Sequence, residues 1–210
     1  MTKERLKSPR ARLFVALDLP EDVRDRLAAW QARSLSDPAL RPLRPEALHV
    51  TMCFLGYHPE RDIERIAAIV LGMEPRAIGG RFKREPVPVP PSRPRLFAVD
   101  AESEGAVALQ AELSDLLESE RFYRPEKRAF WSHLTVARVR PEKGSAGGPR
   151  RGRRGLPARV EAPPQALPAE LCEPFGFVRV ALYRSNLRPT GAEYVSLAEL
   201  DLPPAEAEKR

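Results

Sequence analysis

The sequence predicts an α+β protein made of two similar lobes that flank a central cleft. The first observation behind this prediction is a repeated motif, since His-X-Thr occurs at His49–Thr51 and again at His133–Thr135, each time inside an apolar run typical of a β-strand. The second observation is the order of the elements around the motifs. A strand–helix–strand–helix pattern is followed by roughly the same pattern, with the motif strand second in each half. A cleft between the lobes would let both motif strands face it.

The first half of the chain is predicted to begin with a strand over residues 12–18. A helix follows, because Pro20 suits a first helical turn and the acidic Glu21 and Asp22 favour the positive end of the helix dipole. The apolar stripe of this helix consists of Val23, Leu27 and Trp30.

A proline-rich link leads to the first motif strand, at about residues 47–55, which Gly56 is expected to end. A second helix is predicted near residues 60–72. Its apolar face consists of Ile63, Ile66, Ala67 and Val70.

The second motif strand lies in a similar succession of elements. Residues 77–90 are extended, and prolines at positions 86, 88 and 90 make them an edge strand rather than a central one. Further strands are predicted at 95–101, at about 131–139 for the second motif, and at 177–184 and 193–199, the last two joined by a turn at 186–191. A helix is predicted at 104–119, with Val107, Leu113, Leu116 and Leu117 facing inward. A short helix is predicted near 164–171.

Each motif sets an imidazole beside a hydroxyl, because residues i and i+2 of a strand point to the same face. Two such pairs facing each other supply a general base, a general acid and two hydroxyl donors for an anion. Arg138 is either a phosphate contact or an exposed strand arginine. Phe130 and Trp131 either stack on a base or pack in the core. His58 is interpreted as structural or solvent-facing, and Cys53 as a buried thiol whose strand register could bring it to the border of the site.

The net charge of +6 is unevenly placed along the chain. Residues 1–12 carry +4 and residues 143–155 carry +5, which leaves −3 for the rest. The segment 143–155, KGSAGGPRRGRRG, is predicted to be a mobile loop that either contacts an RNA backbone or only aids solubility. No apolar run approaches the roughly 18 residues of a transmembrane helix. The two cysteines fit neither a disulfide framework nor a metal site, so we expect a cytoplasmic protein.

Four segments carry a family resemblance. They are RLFVALDLPEDV in the opening strand and helix, LHVTMCFLG at the first motif, HLTVAR at the second motif and LYRSNLRPTGAEYVSLAEL in the closing hairpin. With these segments the chain resembles the 2H phosphoesterases, and more closely the RNA 2′,3′-cyclic phosphodiesterases, formerly called 2′-5′ RNA ligases. Ser132 departs from the family pattern, which usually has proline just before the second motif histidine.

The resemblance implies a fold of two pseudo-symmetric lobes, each an antiparallel sheet with helices, on either side of a central cleft. On this basis we expect one bilobal domain over residues 11–202, containing the mobile loop at 143–155. A flexible basic tail at 1–10 precedes this domain and a polar tail at 203–210 follows it.

The resemblance also implies metal-independent hydrolysis of RNA 2′,3′-cyclic phosphate ends to 2′-phosphates, by a monomer without a cofactor. His49 is then the acid for the leaving O3′ and His133 the base for water, although the two roles could be exchanged. Thr51, Thr135 and Arg138 would bind the phosphate. The family's older name also implies a reversible ligation, which joins a cyclic phosphate to a 5′-hydroxyl without ATP. The alternatives are a 2H phosphoesterase acting on another small cyclic or 2′-5′-linked nucleotide, or a non-catalytic RNA-binding module.

Overall fold

The computed structural model describes residues 9–142, 155–188 and 191–205. The expected tails at 1–10 and 203–210 lie largely outside these ranges, and the expected loop at 143–155 lies outside them except for Gly155. The strands are β1 (Arg10–Asp18), β2 (Leu40–Pro42), β3 (His49–Pro59), β4 (Gly79–Phe82), β5 (Val87–Val89), β6 (Leu96–Glu102), β7 (His133–Val139), β8 (Phe175–Gly176), β9 (Arg179–Arg188) and β10 (Gly191–Asp201). The helices are α1 (Glu21–Ser34), α2 (Ile63–Leu71) and α3 (Glu104–Ser119), with 3-10 turns at Pro45–Ala47, Glu60–Asp62 and Ala169–Leu171.

The strands form a largely antiparallel sheet in the order β10-β9-β1-β3-β7-β6-β4-β8, with β2 paired to β7 and β5 to β6. The sheet has two halves, because β3 and β7 are paired only through Val50 and Leu134. The predicted α+β class with antiparallel sheets is therefore confirmed. The junction between the halves lies directly beside both His-X-Thr motifs.

The internal repeat suggests that each lobe is one half of the chain. In the structure, each lobe instead combines segments that are distant in the sequence. One lobe combines β1 and β3 with the C-terminal hairpin β9–β10, and the other is formed around β6 and β7. The helices also cross between lobes. Helix α1 follows β1 but reaches the other lobe, where the Gln31 side-chain amide donates to the Val136 carbonyl at 2.7 Å. Helix α2 packs on β9 and β10, and α3 packs on β3.

Helices α1 and α3 form for the expected reasons, but the buried face of α3 differs from the prediction. In α1 the stripe of Val23, Leu27 and Trp30 is buried. In α3 the Ser103 hydroxyl accepts the Ala106 N–H at 3.0 Å and caps the first turn. Val107 and Leu116, expected to face inward, are instead exposed. The buried residues of α3 are Ala106, Leu109, Leu113, Ser114 and Leu117.

Two other expectations were wrong. The short helix expected near 164–171 is only the turn Ala169–Leu171, because three prolines at 163, 164 and 168 remove backbone donors from this segment. Gly56 does not end the first motif strand, which continues to Pro59. Gly56 has φ +78° and lies at a register shift opposite Leu13 and Phe14, so its backbone accommodates a bulge.

The described helices include none that is both long and apolar enough to cross a membrane.

Asp37 anchors residues 161–162, which follow the undescribed segment by a few residues. One carboxylate oxygen accepts the N–H groups of Glu161 and Ala162 at 2.7 and 2.8 Å, and the other accepts the Ala39 N–H at 2.7 Å. These hydrogen bonds, led by that from Ala162, lower the pKa of Asp37. The stabilisation is therefore present above pH 3.8 and is lost as the pH falls through the lowered value.

We expect the Asp37→Ala substitution to lower the free energy of unfolding by about 3 kcal/mol, because three backbone donors lose a charged acceptor. Urea denaturation monitored by circular dichroism measures the change. Glu46→Ala, which removes an exposed carboxylate, is the control. A loss below about 1 kcal/mol for Asp37→Ala would mean that the packing of residues 155–162 does not depend on this carboxylate.

Candidate active site

A cleft of about 490 Å³ opens where β3 meets β7. The structure brings all five residues that the sequence singled out to the lining of this cleft, namely His49, Thr51, His133, Thr135 and Arg138. Their convergence follows from strand register. Val50 pairs with Leu134, so the imidazole and hydroxyl on either side of Val50 lie opposite those on either side of Leu134.

A matching β-bulge follows each motif. In β3, Thr51 pairs with Ala16 and Cys53 with Val15, so Met52 is the extra residue. The bulge turns Phe54 into the cleft and Cys53 into the core. Cys53 is therefore the buried thiol that the sequence indicated, and the alternative that it borders the site does not hold. Its thiol is buried, and burial raises its pKa to about 12.

The bulge in the second motif strand turns Arg138 into the cleft. In β7, Thr135 pairs with Ala98 and Ala137 with Phe97, so Val136 is the extra residue. Arg138 consequently occupies the position in β7 that Phe54 occupies in β3. The two halves of the cleft are alike at the motifs and differ just beyond them, where one presents an aromatic ring and the other a guanidinium.

His49 lies among aromatic rings and is partly buried. Its ring stacks on Phe14 with centroids 5.0 Å apart and meets the edge of Tyr194 at 5.3 Å. Burial lowers the pKa of His49 to about 4, and the positive charges of Arg138 and His133 act in the same direction. His49 is therefore neutral near pH 7 when the cleft holds no anion.

His133 is oriented by Trp131. The His133 Nδ1 lies 2.7 Å from the Trp131 carbonyl oxygen, and its ring stacks on the indole with centroids 4.1 Å apart. Because a carbonyl only accepts, Nδ1 carries the hydrogen and Nε2 has the free lone pair in the neutral ring. Burial lowers the pKa of His133, although the hydrogen bond to Trp131 opposes the shift.

Each histidine is paired across its sheet with an aspartate. Asp18 is the register partner of His49, and Asp100 is that of His133. The Tyr183 hydroxyl donates to Asp18 at 2.7 Å.

In the other half, the Trp131 indole N–H donates to Asp100. Asp100 therefore holds Trp131 in its stack on His133, and Asp18 holds Tyr183, whose ring centroid lies 6.2 Å from that of His49. Sequence reasoning had left open whether Trp131 stacks on a base or packs in the core, and here it stacks on His133.

The cleft is lined by positively charged side chains. Among the described residues the lining contains no aspartate or glutamate. Its arginines are Arg12, Arg41, Arg95, Arg138 and Arg188. Arg12 is held by Ser185, whose hydroxyl accepts from its guanidinium at 2.7 Å, and lies over the Phe54 ring at 4.6 Å.

Sequence reasoning identified Arg138 alone among these arginines. A signal for two others was available, because Arg-Leu-Phe occurs at the start of the first strand and again before β6, at Arg12 and Arg95. Arg41 and Arg188 reach the cleft through pairings that the sequence does not reveal.

Described residues on both sides of the basic segment line the cleft. Pro141 and Pro157 are bridged across it, and both line the cleft together with Gly155. The sequence prediction that this segment contacts RNA concerns residues outside the described ranges, and it stays a prediction.

The third histidine has a structural role. The His58 Nε2 lies 3.1 Å from the Leu55 carbonyl, and its ring meets the edge of Phe122 at 6.0 Å. Within the described ranges, no group of three or more His, Cys, Asp or Glu side chains is placed to bind a metal ion.

Comparison with known proteins agrees with this geometry. The family model described as LigT-like phosphoesterase matches residues 17–93, which include the first motif. An RNA 2′,3′-cyclic phosphodiesterase of Thermus thermophilus is 31% identical over 204 residues, covering 91% of this chain and 90% of the relative. The chain belongs to the LigT-like phosphoesterase family. The resemblance to 2H phosphoesterases inferred from four segments is confirmed, and family membership makes this protein a hydrolase.

Other proteins are similar to most of this chain at lower identity. An RNA 2′,3′-cyclic phosphodiesterase of Methanocaldococcus jannaschii is 25% identical over 192 residues, covering 90% of this chain and 99% of the relative. A crystal structure of a Thermus thermophilus protein has a TM-score of 0.72 at 27% identity, covering 91% of this chain and 97% of that one. The structure of Escherichia coli LigT complexed with 3′-AMP shares the fold, with a TM-score of 0.69 at 19% identity over 92% and 99% of the two chains.

Proposed function

We propose that this protein hydrolyses 2′,3′-cyclic phosphate ends of RNA to 2′-phosphates, with His49 and His133 as its catalytic residues. The observation that carries the proposal is the meeting of two imidazole–hydroxyl pairs in one cleft lined by five arginines. Imidazoles suit proton transfer near neutral pH, and guanidinium groups suit a phosphate backbone. The similarity to two RNA 2′,3′-cyclic phosphodiesterases supports the same reaction and substrate class.

The reaction is an in-line displacement at phosphorus. His133 takes a proton from water through Nε2, because its Nδ1–H is engaged by the Trp131 carbonyl. The water oxygen forms a bond to phosphorus and the bond to O3′ breaks. His49 donates a proton to O3′, which leaves the phosphate on O2′.

Thr51, Thr135 and Arg138 bind the non-bridging oxygens in this mechanism. Each threonine hydroxyl lies beside its motif histidine on the same face of the strand, so both are positioned to donate to the oxygens that gain charge. Arg138 supplies a fixed positive charge at the rim. The chemistry needs only proton transfer and anion binding, and we propose that it proceeds without a metal ion.

The neutral state of His49 in the empty cleft makes its protonation depend on substrate. Burial and the charge of Arg138 lower its pKa, and a bound phosphate offsets that positive charge. His49 therefore takes up its proton together with the anionic substrate. When a 5′-hydroxyl replaces water as the nucleophile, the same steps join it to the cyclic phosphate, and we propose this reversible, ATP-independent ligation as a second activity of the monomer.

The pH dependence of kcat/KM reports the two histidines in the free enzyme. The reactive form of the enzyme carries one proton on the two histidines, and the pKa values of both His49 and His133 are lowered. We therefore expect kcat/KM to be highest below pH 6.5 and to fall on the acid side near pH 4, the pKa of His49. We expect the kcat profile to lie at higher pH, since bound phosphate raises both values. Initial rates in buffers of constant ionic strength measure both profiles, and circular dichroism checks folding at each pH. Coincident profiles centred above pH 7 would contradict the proposed coupling to substrate.

The direct test is a hydrolysis assay in the presence of EDTA. The two substrates are a short RNA ending in a 2′,3′-cyclic phosphate and the matching mononucleotide. We expect turnover of both to a 2′-phosphate, with a lower KM for the RNA because more phosphates meet the arginines. Turnover of the mononucleotide alone would point to a small cyclic nucleotide as substrate. RNA binding without turnover of either substrate would overturn the enzymatic proposal.

A further inference from the structure

A second cavity of about 180 Å³ adjoins the cleft, and we call it the rear chamber. Thr51, Phe54 and His133 line both the cleft and the rear chamber. The other walls of the rear chamber come from α3 and from the segment before β7, including Gln110, Tyr123, Arg128, Ala129, Phe130 and Trp131.

Only one of the two histidines lines the rear chamber. Among the described residues, His49, Thr135 and Arg138 line the cleft and do not line the rear chamber. A phosphate held between the histidines therefore has the arginine-lined cleft on one side and the rear chamber on the side of His133.

In-line displacement assigns these two sides to different groups. The attacking and leaving oxygens lie on opposite sides of phosphorus, and each is close to the group that exchanges its proton. With His133 as the base, the nucleophile approaches through the space that His133 shares with the rear chamber. The chain that carries the cyclic phosphate then lies along the cleft.

The lining of the rear chamber suits an uncharged nucleoside. Phe54, Tyr123, Phe130 and Trp131 offer aromatic surface for a base. The described lining residues include one arginine, Arg128, and one acidic residue, Glu126, which pair at 2.6 Å, whereas the described lining of the cleft has five arginines and no acidic residue. The 5′ end of an RNA that carries a hydroxyl has no terminal phosphate, so its first nucleoside matches this weaker positive charge.

The volume fits the same occupant. A water molecule takes about 30 Å³ in the liquid, so the rear chamber is several times larger than a single hydrolytic water requires. A purine or pyrimidine nucleoside fills such a space when its ribose remains at the opening toward the cleft. Its 5′-hydroxyl then faces the shared wall formed by His133 and Thr51.

We infer that the rear chamber is the acceptor subsite, which binds the 5′-hydroxyl nucleoside that replaces water in the ligation reaction. This inference rests on the proposed function of the same site. The 5′ oxygen forms a bond to phosphorus and its proton passes to His133. The P–O3′ bond breaks, O3′ takes the proton of His49, and the product is a 2′-5′ phosphodiester.

The test measures how one cyclic phosphate substrate is divided between three nucleophiles, namely water, methanol and adenosine. Cytidine 2′,3′-cyclic phosphate is incubated with the protein in water, in dilute methanol, and with adenosine, and the products are separated by chromatography. We expect the rate of 2′-5′ dinucleotide formation to saturate as the adenosine concentration rises. The rate of methyl ester formation should instead rise in proportion to the methanol concentration. 5′-Deoxyadenosine, which lacks the attacking hydroxyl, should inhibit transfer to adenosine competitively.

A substitution at the chamber wall tests the location. Ala129 is exposed at the rim, so Ala129→Phe narrows the rear chamber without removing a core contact. We expect this variant to lower the ratio of adenosine transfer to methanol transfer about 10-fold, the size of one lost base-stacking contact. Lys127→Phe, in the same segment but outside the chamber wall, should leave the ratio unchanged.

The outcomes separate this inference from the proposed function. Hydrolysis with non-saturating transfer to adenosine, or a ratio unaffected by Ala129→Phe, would overturn the acceptor subsite and leave the phosphodiesterase standing. Absence of hydrolysis in the wild-type protein would remove the proposed function and the acceptor subsite together.

Discussion

Replacing His49 or His133 by alanine is expected to lower kcat/KM for a 2′,3′-cyclic nucleotide by about 10²–10⁴-fold, the usual contribution of a positioned acid or base. Each substitution removes one of the two proton-transfer groups of a single displacement step. The double variant should therefore lose little more than the weaker single variant, because the two groups act as a unit.

The control for this experiment is the third histidine. His58→Ala removes an imidazole that contacts Leu55 and Phe122 away from the cleft, so its kcat/KM should stay close to that of the wild type. Initial rates at several substrate concentrations, together with thermal unfolding of each variant, give the comparison. A folded His133→Ala protein that kept wild-type turnover would refute the two-histidine mechanism.

Thr51→Val and Thr135→Val are each expected to lower kcat by about 10²-fold, the scale of one lost donor to a charged transition state. Valine keeps the branched shape that suits a strand and removes only the hydroxyl. KM should change much less than kcat, because the hydrogen bonds strengthen as the phosphate oxygens gain charge.

The matched control for each threonine is serine. Thr51→Ser and Thr135→Ser retain the hydroxyl, so we expect most of the activity to return. If the serine variants were as slow as the valine variants, the threonines would act through packing of the strand rather than through hydrogen bonds to phosphate.

Much of the fold could be predicted from local patterns. The range 104–119 for α3 matched the structure, and both motif strands were located, because their apolar periodicity and end signals lie within the segments themselves. The bulges at Met52 and Val136 could not be predicted in this way. They depend on which residues of a distant strand pair with each motif, and they decide that Phe54 and Arg138 face the cleft and Cys53 does not.

The candidate site was likewise predictable only in part. The two histidine–threonine pairs were predictable because a strand places i and i+2 on one face, and the repeat of the motif suggested their convergence. The side chains that hold the two histidines in place were not predictable. The hydrogen bond from Tyr183 to Asp18 spans 165 residues of sequence, and no local pattern links the two. The stack of Trp131 on His133 could not be taken from strand periodicity, because β7 begins at His133 and Trp131 lies in the irregular segment before it.

The crossing of chain segments between lobes has a consequence for how the protein is made. β1 lies between β3 and β9, so one edge of β1 stays unpaired until the C-terminal hairpin has left the ribosome. Pairings between distant segments form slowly, and an open strand edge can pair with other chains during that time. The wall that carries Phe14 and Tyr183 therefore assembles last. A chain interrupted before β9 would have both motifs but would lack the wall of the cleft formed by β9 and β10, and its exposed edge would make it prone to aggregate.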